Sequence, residues 1–304
     1  MSRSAARPQR GVRRVLVIGA TGQVGRVLVT ELSRRPEGLD VVAAARSDSN
    51  PARQFRLEVP ETIEEIVKAV APNHVFLTAA ATNVAWCEEH PDESWAINVL
   101  ATKVAALAAR HVGASFTFIS TDYVFDGISG PYAEGEPTGP INVYGAHKLA
   151  AEDAVLAADS QNLVVRTCQV FGDDHRRTNF VVRVADRLGA HEVVEAPGDL
   201  FGTPTYAPDL SRALTELTLS RATGIWNVAG DTFLSRYELA IMVADAFHRE
   251  RNLILEVAAD QMQDSVNRPR RSGLLNRRLD SVLVLPITPL TEALAALAAS
   301  DTAR

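Results

Sequence analysis

The sequence predicts an α/β protein built on a doubly wound parallel sheet. Short, continuous apolar runs, which are typical of strands buried on both faces, recur through the first half of the chain. Longer segments with helical spacing of apolar residues lie between them. Alternation of strands and helices in this order predicts a parallel sheet covered by helices on both faces.

The predicted elements begin at residue 14. Strands are predicted at 14–18, 41–45, 74–78, 116–119 and 225–228, and helices around 27–32 and at 63–70, 93–112, 179–188 and 208–221. A further helix is expected to begin at Ser235, with Glu238 completing a capping box.

A glycine-rich turn joins the first strand to the first helix. The first glycine permits a tight turn, the second lets a pyrophosphate approach the backbone, and the third lets the helix pack on the strand. The phosphates would lie at the positive end of the helix. The predicted cofactor-binding residues here are Gly19, Thr21, Gly22, Gln23, Val24 and Gly25. This strand–turn–helix frame predicts a dinucleotide cofactor.

The end of the second strand distinguishes NAD(H) from NADP(H). An acidic residue about 20 residues past the glycines would bind the adenosine ribose of NAD(H). The chain has Arg46 there, and a guanidinium suits the 2′-phosphate of NADP(H). Arg26 is expected to add to this phosphate site. NADP(H) is therefore favoured; the alternatives are NAD(H) bound through Asp48, and a solvated Arg46.

Small and polar residues follow the third and fourth strands. Ala79, Ala80 and Ala81 would let a cofactor pass close to the backbone, and the fourth strand delivers Thr121, with Asp122 and Tyr123 behind it. In open α/β sheets, ligands bind beyond these strand ends.

Tyr144 and Lys148 lie four residues apart in a predicted helix and so share one face. A phenol with an ordinary pKa of about 10 is a slow acid at neutral pH, and an ammonium one turn away lowers that pKa. Such a phenol can protonate a carbonyl oxygen while hydride arrives at the carbon. The structural alternative is an ordinary surface pair, and His147 beside it is expected on the helix surface.

Several motifs together resemble those of the extended short-chain dehydrogenases/reductases, and more narrowly their dTDP-4-dehydrorhamnose reductase branch. They are the glycine turn, the octet STDYVFDG at 120–127 and Tyr144-x-x-x-Lys148, with further similarity at 140–145, 202–206 and 268–274. The resemblance covers roughly residues 13 to 285, and the octet is its most specific part.

The resemblance implies a Rossmann fold and NADPH-dependent reduction of a keto group, at C4, on a nucleotide-activated deoxysugar. Thr121 would orient the substrate carbonyl, Tyr144 would donate the proton, and Lys148 would hold the nicotinamide ribose. Asn98 matches a family asparagine near the active site. Related dehydratases carry Asp-Glu after the threonine, whereas this chain has Asp122-Tyr123, which favours reduction over elimination.

The substrate side departs from the reductase pattern. Asn83 and Trp86 fall in a segment where the reductases carry Thr-x-Val-Asp, and Gln169 falls where they often place a tryptophan. These residues are expected to line the sugar pocket, so a different 4-keto sugar is a candidate substrate. Arg268, in an arginine-rich segment, either meets the substrate diphosphate or is solvated.

The same departures allow a second class of function. The regulatory β subunit of methionine adenosyltransferase has a similar sequence plan and binds NADP while serving a partner protein. The alternative to an enzyme is therefore an NADP-binding regulatory subunit without catalysis of its own.

Composition argues against other classes. The 304 residues carry a net charge of −6, whereas a nucleic-acid platform would be basic. No apolar run reaches the roughly 18–20 residues of a membrane span. Cys87 and Cys168 fit neither a disulfide framework nor a metal site, so a cytoplasmic location is expected.

We expect a three-part organisation. Residues 1–12 would be a flexible tail and not an export signal, because no hydrophobic segment follows the arginines. Residues 13–175 would form mainly an NADP-binding Rossmann domain. Residues 176–304 would form mainly a smaller substrate-binding region, with some segments returning to the Rossmann sheet. The family is often dimeric, so a homodimer is a candidate assembly.

Overall fold

The computed structural model describes residues 14–36, 38–50, 53–261 and 266–302. The predicted tail at 1–12 and part of the arginine-rich segment, 262–265, lie outside these residues. Among the described residues, no helix is both long and apolar enough to cross a membrane.

Six strands form one parallel sheet in the order β2-β1-β3-β4-β5-β8. They are β1 (Arg14–Ile18), β2 (Asp40–Ala44), β3 (His74–Leu77), β4 (Ser115–Thr121), β5 (Leu163–Thr167) and, after the elements below, β8 (Gly224–Asn227). This confirms the predicted doubly wound sheet. The chain moves outward from β1 to β2 and then returns to the other side of β1, so the carboxyl ends of β1 and β3 open a crevice.

Helices cover both faces of this sheet. They are α1 (Gln23–Ser33), α2 (Glu61–Val70), α3 (Val84–Glu89), α4 (Pro91–Trp95), α5 (Ala101–His111), α6 (Val143–Ala158) and, from the second half, α8 (Ala207–Leu219). A π-helical turn, Ala96–Leu100, joins α4 to α5, so the helix predicted at 93–112 contains one widened turn. The second half thus contributes α8 and β8 to this layered unit.

Side chains that alternate between the two faces of β1 explain why the sheet has a hydrophobic core on each face. Leu16 and Ile18 pack with α2, α5 and α6 on one face of the sheet, while Val15 and Val17 pack with α1 and α8 on the other. A strand whose successive residues are all apolar can fill both cores at once, because its side chains point alternately to opposite faces.

The remaining helices and strands come from the second half of the chain. They are α7 (Phe180–Gly189), β6 (Val194–Pro197), β7 (Phe201–Gly202), β9 (Leu234–Ser235), α9 (Arg236–Ala246), β10 (Ile254–Val257) and α10 (Leu290–Thr302). Strand β6 pairs with β10, and β7 pairs with β9. The predicted capping box of Ser235 and Glu238 is confirmed at the start of α9. The division at residue 175 stays a prediction.

A buried ion pair fixes α6 against the sheet. Arg166 on β5 donates to both carboxylate oxygens of Glu152 on α6, and the shortest N–O distance is 2.6 Å. Both side chains are at most 3% exposed. Removing one partner would leave a buried charge without compensation, which costs far more than removing both.

We therefore expect Arg166→Met to lower the free energy of unfolding by about 3–5 kcal/mol, measured by urea denaturation. Adding Glu152→Leu should recover most of that loss, since no isolated charge remains. The matched control is Arg187→Met, which breaks an exposed pair with Glu192 and should cost about 1 kcal/mol or less. A double variant as unstable as the single one would contradict this account.

Candidate active site

The glycine turn has the geometry of an anion-binding site. Gly19 has φ +102°, in the region that favours glycine. A Cβ on Gly25 would lie 2.1 Å from the Gly19 carbonyl oxygen, so only glycine allows α1 to start this close to β1. No acidic residue lies in the first turn of α1. The Nε2 atom of Gln23 is buried without a hydrogen-bond partner among the described residues, which suits a phosphate oxygen.

The end of β2 borders this turn. Gly19 and Ala20 both donate from their backbone N–H groups to the carbonyl of Ala44, at 3.0 Å, which places Arg46 beside the turn. Arg46 is 70% exposed and meets Glu58 at 3.3 Å, a weak pair in solvent. Its guanidinium can therefore reorient towards a phosphate.

The other two residues considered for the adenosine ribose end of the cofactor, Asp48 and Arg26, already have hydrogen-bond partners. The Asp48 carboxylate accepts the Asn50 N–H at 2.8 Å, within its own turn. Arg26, which was expected to add to the phosphate site, instead donates to the carbonyl of Asp173 at 2.9 Å and pairs with its carboxylate. Of the two arginines predicted for the 2′-phosphate, Arg46 is therefore the more accessible.

The segment after β3 lies against the glycine turn. A Cβ on Gly19 would lie 2.7 Å from the backbone nitrogen of Ala79, so the two backbones touch. Two residues further, Asn98 binds both backbone groups of Ala81: its Oδ1 accepts the N–H and its Nδ2 donates to the carbonyl, each at 3.0 Å. Asn98 lies in the π-helical turn, a feature often found at functional sites.

Thr121 and Tyr144 meet beyond the carboxyl end of β4. The Thr121 hydroxyl lies close enough to the Tyr144 phenol to lower its pKa, and it donates to Asp122 Oδ1 at 3.1 Å and accepts the Tyr123 N–H at 3.2 Å. The Tyr123 ring packs edge-on against that of Tyr144, with centroids 6.0 Å apart. The sequence-predicted hydroxyl and phenol are thus brought together.

Asn142 positions the helix that carries Tyr144. Its side chain caps α6 by accepting the Gly145 N–H at 2.7 Å. A Cβ on Gly145 would lie 2.1 Å from the Tyr123 carbonyl oxygen, so the helix start approaches the octet backbone closely. The octet and the Tyr-x-x-x-Lys motif are therefore packed against each other.

Lys148 turns towards the sheet. Its Nζ donates to the carbonyl of Ile119 at 2.6 Å and lies 3.9 Å from the centroid of the Phe118 ring. Burial lowers the pKa of Lys148 to about 7, although the nearby Glu152 carboxylate raises it. Lys148 is only 3% exposed.

The pKa of Tyr144 moves in the direction opposite to the one predicted. Burial and, after it, the negative charge of Asp122 raise this pKa, while the neighbouring Thr121 hydroxyl lowers it. A lysine one turn away would lower the pKa of the phenol, but desolvation of the phenolate dominates in the fold. The phenol is therefore firmly protonated at neutral pH.

The predicted substrate residues have several structural contacts. Asn83 caps α3 by accepting the Trp86 N–H at 3.1 Å, and the Trp86 ring stacks on His90. Gln169 has φ +45°, and a Cβ on Gly202 would lie 2.3 Å from its Nε2. Arg268 is half-buried and lowers the pKa of Tyr123, which burial raises to about 12.

Three residues at the site went unpredicted. The Cys168 thiol donates to Asp122 Oδ2 at 3.0 Å. The prediction that His147 lies on the helix surface is wrong. His147 is buried, and its ring makes a hydrogen bond with the Ser94 hydroxyl. The Arg236 guanidinium lies over the Phe180 ring at 4.5 Å, and its positive charge lowers the pKa of Tyr123. A positive charge in the first turn of a helix is unfavourable because of the helix dipole. The place of Arg236 at the start of α9 could therefore have indicated a functional role from the sequence.

Comparison with known proteins agrees with the motifs. A family model described as RmlD substrate binding domain matches residues 13–302. The spore coat polysaccharide biosynthesis protein SpsK of Bacillus subtilis is 30% identical and covers 90% of this chain and 93% of its own length. The dTDP-4-dehydrorhamnose reductase of Mycobacterium tuberculosis H37Rv is 32% identical, covering 93% and 91%.

Solved structures extend the comparison. The dTDP-4-dehydrorhamnose reductase of Bacillus anthracis, in complex with NADP, has a TM-score of 0.86 at 27% identity and covers 95% of this chain and 99% of its own. The alternative also has relatives: the β subunit of methionine adenosyltransferase 2 from Bos taurus is 28% identical over 91% of this chain. The chain belongs to the RmlD substrate binding domain family, within the reductase-like branch of extended short-chain dehydrogenases/reductases that its motifs indicated.

Proposed function

We propose that this protein catalyses NADPH-dependent reduction of the C4 keto group of a nucleotide-activated deoxysugar. The observation that carries the proposal is the meeting of the Thr121 hydroxyl and the Tyr144 phenol at the carboxyl edge of the sheet. Lys148 lies one turn along the same helix. Relatives named dTDP-4-dehydrorhamnose reductase, and a structural neighbour in complex with NADP, support the reaction class and the cofactor.

The protein side of the reaction is acid catalysis. NADPH, when bound, supplies the hydride. Tyr144 gives its proton to the carbonyl oxygen as that oxygen gains charge, and its raised pKa keeps the proton in place until then. Thr121 turns its hydroxyl from Asp122 to the same oxygen, so two donors stabilise the developing charge.

Lys148 is proposed to hold the nicotinamide ribose. Its pKa of about 7 lets it gain or lose a proton near neutrality, so it can also help to restore the proton of Tyr144. The cofactor phosphates would rest on the glycine turn and Gln23, with Arg46 at the 2′-phosphate. Ala79, Ala80 and Ala81 would border the nicotinamide half.

The surroundings of Asp122 favour reduction over elimination. Its Oδ1 accepts from Thr121, and its Oδ2 accepts from the Cys168 thiol and, at 3.3 Å, from the Gly273 N–H. Both oxygens are occupied, and the next residue is a tyrosine. A second carboxylate that could remove a proton from the sugar is absent from this part of the octet.

The substrate pocket is proposed to involve Asn83, Trp86, Tyr123, Gln169 and Arg268. Gln169 and Trp86 differ from the reductase pattern, which supports a different 4-keto sugar. The regulatory function remains the second candidate, because the similar β subunit of methionine adenosyltransferase 2 covers most of the chain. The cytoplasmic location and the homodimer stay predictions.

Substitution of Tyr144 by Phe tests whether this phenol is the proton donor. Turnover should fall by roughly 10²- to 10⁴-fold, because the acid is lost, while NADPH binding stays nearly intact. The measurement is NADPH oxidation with a panel of 4-keto sugar nucleotides. Tyr237→Phe, a change on α9 outside the site, is the matched control. Undiminished turnover in Tyr144→Phe would exclude this phenol as the acid.

Substitution of Arg46 by Ala tests the cofactor choice. We expect the KM for NADPH to rise about tenfold, as the loss of a charge-assisted hydrogen bond predicts, with little change for NADH. Arg56→Ala, another loop arginine, serves as control. Equal changes for both cofactors would show that Arg46 does not read the 2′-phosphate.

A further inference from the structure

A buried chain of hydrogen bonds links helix α6 to the segment after β3. His147 on α6 meets the hydroxyl of Ser94 on α4 through its Nδ1, at 2.9 Å. Asn98 Nδ2 donates to the same Ser94 oxygen at 3.2 Å. Asn98 in turn holds both backbone groups of Ala81. His147, Ser94 and Asn98 are all buried.

The direction of each bond follows from its partners. The Ala81 backbone fixes the Asn98 amide, because the N–H requires Oδ1 and the carbonyl requires Nδ2. Ser94 then accepts from Nδ2, and its own proton is free to go to His147 Nδ1. In that arrangement the neutral imidazole of His147 carries its proton on Nε2. Burial lowers the pKa of His147, which favours that neutral form, although Glu88 raises it.

The two ends of this chain belong to opposite sides of the crevice. Ala81 follows Ala79, whose backbone touches the glycine turn. His147 precedes Lys148 and lies three residues after Tyr144 on α6. The Trp95 ring packs edge-on against His147, with centroids 5.2 Å apart, and closes the chain from one side. The hydrogen bonds therefore set the distance between the segment after β3 and helix α6.

An apolar packing would stabilise this junction at lower cost. Burying an imidazole, a hydroxyl and an amide requires every group to find a partner, and an incomplete network is worse than an apolar core. The network also coincides with the π-helical turn, which leaves the regular ladder of the helix. A complete hydrogen-bonded network at this place can fix the orientation of the segment after β3 relative to helix α6.

We propose that His147 and Ser94 are positioning residues, which hold the Asn98 clamp on Ala81 and thereby keep the loop after β3 in place for NADPH. The inference rests on the proposed function, because it takes NADPH as the molecule bound in the crevice. Each acts through Asn98, and the loss of either should loosen the loop.

The test compares His147→Leu and Ser94→Ala with His147→Asn. Leucine offers no acceptor for the Ser94 hydroxyl, whereas the Oδ1 of asparagine can take the place of Nδ1. We expect the Kd for NADPH, measured by fluorescence titration without sugar substrate, to rise about tenfold in the first two variants and to recover in His147→Asn. His111→Leu, at the exposed end of α5, should match the unaltered protein.

Amide hydrogen exchange provides the second measurement. Residues 79–82 should exchange faster in His147→Leu and Ser94→Ala, and at the original rate in His147→Asn. A lower unfolding midpoint with an unchanged Kd and unchanged exchange would overturn the inference and leave the proposed function standing. Absence of NADPH binding in the unaltered protein would instead overturn the proposed function, and this inference with it.

Discussion

The structure depends on holding the buried polar groups Thr121, Asp122 and Lys148 in hydrogen bonds along the carboxyl edge of the parallel sheet. Thr121, Asp122 and Lys148 are all less than 10% exposed; Thr121 donates to Asp122, while Asp122 and Lys148 each make a hydrogen bond to another element. An unpartnered polar group at such a depth costs several times what a typical hydrogen bond contributes. These hydrogen bonds therefore hold three parts of the protein in one arrangement: the octet, helix α6 and the segment after β5.

Burial also determines the acid–base character of the site. The same desolvation raises the pKa of Tyr144 and lowers that of Lys148, because each residue loses solvation in its charged form. The pair is thus a protonated phenol beside an amine that titrates near neutrality. The proposed role of Tyr144 as proton donor requires a phenol that is protonated at rest, and this arrangement provides one.

The two sides of the crevice follow different constraints. The cofactor side depends on backbone approach, at Gly19, Gly25 and Ala79, where any larger side chain would collide. The proposed substrate side depends on side chains such as Gln169, which departs from the reductase pattern. This difference explains why the first side keeps the family pattern while the second departs from it, and why the reaction class is better defined than the sugar.

The sequence alone determined the parallel sheet, the glycine turn and the octet next to the Tyr-x-x-x-Lys pair, because these follow from local periodicity, backbone sterics and spacing along the chain. It could not place His147, Arg26 or Arg236, whose partners lie 53 or more residues away or in another element. Nor could it give the direction of the Tyr144 pKa shift. Desolvation depends on all atoms that surround a group, and only the tertiary structure decides which atoms those are.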